Sequence, residues 1–150
     1  MNDDGVFAEH YSLMYPPEML LESTNVSKAV CTFLDLRISV FRGNFRYKSY
    51  DKRNDFNFSI SNYPNLKGNI PNGPSYGVYI SQLVRFCDIN QDISSFITDV
   101  KNMTAIFLNQ GFDKDILKET FLKFSDKNLF KWGKYGSDIT TFSDKIFSLT

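Results

Sequence analysis

Residues 33–58 read FLDLRISVFRGNFRYKSYDKRNDFNF, and the period of this stretch decides the fold. From Phe33 to Phe41, Leu34, Leu36, Ile38 and Val40 alternate with Asp35, Arg37 and Ser39, the pattern of a half-buried strand. Arg42-Gly43-Asn44 is a short glycine-containing turn suited to a hairpin, and Phe45 to Tyr50 is the partner strand. On that second strand Arg46, Lys48, Tyr50 and Lys52 fall on one face, and Phe45 and Tyr47 on the other. The first 21 positions of the stretch carry six basic residues: Arg37, Arg42, Arg46, Lys48, Lys52 and Arg53. Most of the positive charge therefore projects from one side of a hairpin.

The chain as a whole is neutral, with 17 Lys plus Arg against 17 Asp plus Glu. Its charge is unevenly spread. Residues 1–32 carry a net −4, residues 33–53 a net +4, and the remainder balances. A local basic strip on a neutral chain aims its field, whereas a uniformly basic composition does not. At 150 residues with 42% hydrophobic and 16% aromatic content, the chain suits one compact domain or two lobes sharing a core. Cys31 and Cys87 sit among apolar residues far apart in sequence; cysteine usage favours buried thiols in a reducing compartment over a disulfide. No signal segment opens the chain and no apolar run reaches the ~20 residues that span a bilayer. The expectation is an intracellular protein, nuclear or cytoplasmic, with no membrane partner.

After the hairpin, residues 59–74 form a Pro/Gly connector, and from Ser75 the period becomes helical. Tyr76, Ile80, Leu83 and Cys87 make one stripe, widened by Val84. Asp92 is a candidate N-cap for a long helix carrying Phe96, Val100, Met103 and Phe107, and Gly111 is a natural stop. Asp113 caps a third helix with Ile116, Leu117, Phe121 and Phe124, and a fourth runs through Phe142 and Ile146. Upstream, VFAEHYSLM suggests a short helix and YPPEMLLEST a short strand after its proline pair. The fold class is α+β: a short antiparallel hairpin or partial sheet at the N-terminal end, then a helical bundle over 75–150.

Catalytic equipment is scarce. His10 is the single histidine and cannot build a His-based metal cluster, and neither cysteine has a partner at ligand spacing. The glycines at 68, 73 and 77 lack the ending of a phosphate-binding loop. Asp3 and Asp4 adjoin, but two-metal chemistry needs carboxylates fixed on rigid strands, and a solvated terminus does not supply that. No catalytic residue, metal ligand or cofactor is expected.

Four segments in series carry a resemblance: MYPPEMLLESTN, the 33–58 stretch, NIPNGPSYGVYISQLVRF and LNQGFDKDILKETFLKF. Together, over residues ~7–135, they resemble the C-terminal part of retroelement reverse transcriptases, and more loosely Penelope-like elements. The resemblance implies that residues 1–58 are the last palm strands with the hairpin beside the primer end, and that 75–125 is the thumb. The Tyr-x-Asp-Asp box of such enzymes would end before Met1, so Asp3 and Asp4 do not inherit its role. The complete polymerase would need Mg, while this chain alone is expected not to polymerise. The implied partner is a template–primer duplex, RNA–DNA or RNA.

The residues support that partner separately. A face of Arg and Lys neutralises closely spaced phosphates and positions a duplex without reading its sequence. The candidate contacts are Arg37, Arg46, Lys48, Lys52 and Arg53 on the hairpin side, with Gln82 and Arg85 on the first helix. Arg85, the one charge among apolar neighbours, is either paired with an acid or turned toward an anion. Lys114, Lys118, Lys123 and Lys127 are interspersed with acids and read as a solvated face. Two alternatives stand beside the polymerase reading: a separate nucleic-acid-binding module, and an interaction protein that docks or self-associates through its incomplete sheet. Charged residues on an exposed strand also protect against edge-to-edge pairing.

Overall fold

The computed structural model describes residues 29–58, 60, 62–128 and 139–148, with 16, 18, 19 and 27 as isolated positions. Three strands, β1 (Val30–Phe33), β2 (Leu36–Phe41) and β3 (Asn44–Ser49), form an antiparallel sheet in the order β1-β2-β3. Four helices follow among the described residues: α1 (Asn72–Ile89), α2 (Ile93–Asn109), α3 (Lys114–Lys127) and α4 (Ile139–Phe147). The chain is α+β. The short helix proposed for VFAEHYSLM, the strand in YPPEMLLEST, His10 and the Asp3-Asp4 pair lie outside the described residues.

The strand expected over 33–41 is two strands joined by a turn at Leu34-Asp35. Leu34 takes φ +52 there, a left-handed conformation that costs a branched side chain energy. Neither turn residue breaks the alternation, which is why the period conceals the turn. The next turn, Arg42-Gly43, has positive φ at both positions, +50 and +77, as a two-residue type I′ hairpin requires. Register then follows by parity. Arg37 pairs with Lys48 and Ser39 with Arg46; Ile38 with Tyr47 and Val40 with Phe45 occupy the other face.

Capping residues place the helices. Asp92 accepts from Ser95 N at 2.8 Å and Asp113 from Ile116 N at 3.0 Å, each satisfying a backbone donor that the first turn leaves open. Gly111 ends the second helix at φ +91, and a Cβ there would meet Lys67 Cγ at 3.1 Å. Helix α1 begins at Asn72, three residues before the expected start, because Pro74 sits in the first turn, where a missing N–H costs no intrahelical bond.

The buried core lies in the bundle: Leu83, Phe96, Phe107 and Phe121 are fully enclosed. The stripe of α1 is rotated from the one the period suggested. Tyr79 is buried and Ile80 is exposed, since Tyr79 can hydrogen-bond Thr104 Oγ1 at 3.0 Å across the core. Thr104 donates to Val100 O at 2.7 Å, so the Tyr79 phenol is the donor, and burial pushes its pKa well above the ordinary value. Phe107 is the centre of an aromatic cluster with Tyr63, Tyr79 and Phe112 at 4.6–5.3 Å between ring centroids. Cys87 is buried and Cys31 half-buried, and the two are not joined in a disulfide. No helix among the described residues is long and apolar enough to cross a membrane.

Candidate nucleic-acid interface

The sheet joins the bundle through polar groups. Ser49 N donates to Asn90 Oδ1 at 3.1 Å and Tyr47 N to Gln91 Oε1 at 3.3 Å, so the turn between α1 and α2 covers two outward amides of the edge strand. Asn90 is fully buried and donates to Asp99 at 2.7 Å and to Phe86 O at 3.1 Å. Ser49 Oγ donates to the same Asp99 carboxylate. The buried Asn90 side chain thus uses its carbonyl oxygen and both amide hydrogens.

That joint orients the sheet and leaves both faces unburied. One face carries Arg37, Arg46 and Lys48. Arg37 and Lys48 are direct cross-strand partners, and like charges opposite one another destabilise a sheet. None of the three forms an ion pair among the described residues. Phe41 lies diagonally from Arg46 on this face, with the Arg46 guanidinium 4.9 Å from its ring centroid and that of Arg42 5.3 Å from it. The ring seats the two guanidiniums without neutralising them. Edge protection explains these charges less well, because the edge of β3 is already covered at Tyr47 and Ser49.

The other expected contacts are arranged differently. Lys52 is exposed at the start of a short 3-10 turn, Lys52–Asp55, beyond β3. Arg53 closes on Asp51 through Nε at 2.8 Å and Nη2 at 2.5 Å, and stacks over Tyr63 at 5.1 Å. That hydrogen bond holds the Asp51 carboxyl below its usual range, against the effect of its partial burial. Arg85 pairs with Asp35 at 2.6 Å. Of the two readings open for Arg85, the acid partner is the one found, because the unforeseen turn at Leu34-Asp35 carries that carboxylate to α1. Gln82 is half-buried on α1, in the wall of a cleft. The structure thus brings Arg37, Arg46 and Lys48 together, and closes Arg53 and Arg85 on acids.

The cleft, about 960 Å³, opens where the sheet meets α1 and α2. Tyr50, Lys52, Phe56, Phe58, Gln82 and Arg85 are among its walls. The Tyr50 hydroxyl donates to Asp55, which raises its pKa, and the charge of Arg37 opposes that rise. Phe56 and Phe58 escaped the sequence reading; their signal was an aromatic pair two residues apart at the edge of a polar connector. Among the described residues no cluster of three or more His, Cys, Asp or Glu could hold a metal ion. Compared with known proteins, the chain matches no family model, no curated protein and no solved structure.

Proposed function

We propose that this chain grips the sugar–phosphate backbone of a nucleic-acid duplex, as the palm-end and thumb portion of an RNA-directed DNA polymerase. The observation that supports the grip is the face of Arg37, Arg46 and Lys48, which keeps like charges side by side with no ion pair among the described residues. Repulsion of that kind costs folding energy; the phosphates of a polyanion relieve it by neutralising the cations, and release of the condensed counterions favours binding. Contacts of this type fix register and orientation on the duplex and leave its sequence unread. The polymerase assignment rests on the sequence resemblance; the grip itself performs no chemistry, and the Mg-dependent step belongs to the complete enzyme.

Titrating a labelled RNA–DNA hybrid at a series of salt concentrations tests the reading. Binding should weaken linearly on a log–log plot, and the double change Arg46→Ala with Lys48→Ala should flatten the slope by about two, one for each phosphate no longer neutralised. Undetectable or salt-insensitive binding would sink it. In that event the second reading takes over, a protein-docking or self-associating sheet. It is favoured by the opposite face, where Phe33 and Phe45 are 64% and 72% exposed.

A further inference from the structure

Charge is segregated along this surface. On the open face of β2 and β3 the cations have no acid partner among the described residues; in the adjoining cleft Arg85 is closed on Asp35 and Arg53 on Asp51. The two zones are continuous. The Arg37–Lys48 pair is followed along the ladder by Asp35 and Tyr50, joined by a bond from Tyr50 N to Asp35 O at 2.8 Å, and both residues line the cleft. A backbone lying on the cationic face is thus led to a cavity whose guanidinium groups are already compensated, and whose remaining charged lining residues, Lys52 and Asp99, are of opposite sign. Such a cavity suits a neutral, flat group better than another phosphate.

Its walls fit that occupant. Phe56 and Phe58 stand 45% and 61% exposed with ring centroids 5.2 Å apart, large apolar surfaces that the core does not use. Gln82 and Asn102, in the same lining, supply amide donors and acceptors. The volume lies within the range of small-molecule sites. Exposed aromatic rings beside a cationic groove are the usual means of holding unpaired bases, whatever their identity.

We propose that the cleft takes the unpaired terminal bases of a strand whose backbone lies on the β2–β3 face, stacking them on Phe56 and Phe58. This rests on the backbone grip proposed above and adds a preference for single-stranded ends. The test compares one RNA–DNA hybrid in blunt form and with a short single-stranded overhang, at fixed salt. The overhang should bind about tenfold tighter, since stacking of one base on an aromatic ring corresponds to roughly that factor. The double change Phe56→Ala with Phe58→Ala should abolish the preference and leave blunt affinity and salt slope unchanged. Arg46→Ala with Lys48→Ala should weaken both forms and preserve the preference. A 2-aminopurine base at the overhang terminus gives a readout on the unaltered protein: its fluorescence should be quenched on binding. Equal affinity for the two forms, no quenching, or an equal loss of both in the phenylalanine variant would each overturn the proposal while leaving the grip intact. Absence of salt-dependent binding to either form would remove the grip, and this inference with it.

Discussion

The sheet and the bundle are built on opposite terms. The bundle encloses its large side chains, each contributing about 1.5–3 kcal/mol through burial, and the starts of α2 and α3 are set by acidic caps. The sheet has no buried residue in any of its three strands, and exposes an apolar face on one side and a cationic face on the other. It is held by its own ladder and by the joint at Ser49, Asn90 and Asp99. One region supplies stability, and the other is a surface held in place by it.

Four substitutions break or sharpen that contrast. The largest effect belongs to the bundle. Phe107→Ala should cost about 3–5 kcal/mol by urea unfolding, because it empties the centre of the aromatic cluster. Phe45→Ala, an equal truncation on the exposed sheet face, should stay within about 0.5 kcal/mol. A comparable cost at both sites would mean that the sheet face is covered. Next comes the joint. Asn90→Ala should cost about 1–3 kcal/mol, since it strands the Ser49 amide and one acceptor position of Asp99. Hydrogen exchange should quicken at the Tyr47 and Ser49 amides while the α2 amides stay protected; uniform quickening would show sheet and bundle to be one cooperative unit. The last change runs the other way. Arg42→Asn restores the residue that a type I′ turn prefers at φ +50 and should stabilise the chain by about 0.5–1 kcal/mol. Duplex affinity should fall with the missing charge, so that stability and binding move in opposite directions. A variant that loses both would mean that Arg42 serves the fold.

Much of this contrast was legible in the sequence, for identifiable reasons. Asp92, Asp113 and Gly111 set helix limits through bonds and dihedrals that depend on near neighbours alone, and the structure uses all three. The cationic face was readable because side chains alternate along a strand, so Arg46 and Lys48 must share a side. The turn at Leu34-Asp35 was not readable, since it carries no Gly, Pro or Asn and preserves the alternation. That one omission hid β1 and also the partner of Arg85. Period alone could not choose between Tyr79 and Ile80 for the core either; the hydroxyl of Thr104, on another helix, decides it.

By itself, then, the sequence determined the helices, their caps, the second hairpin and the side of the sheet on which its cations stand, because each depends on residues a few positions apart. Tertiary structure decided which cations remain unpaired, where the edge strand is covered, and that a cleft opens beside Phe56 and Phe58. Those outcomes depend on groups roughly 40–50 positions apart, Ser49 with Asn90 and Asp99, Asp35 with Arg85, and a spacing of that size fixes no distance until the chain has packed.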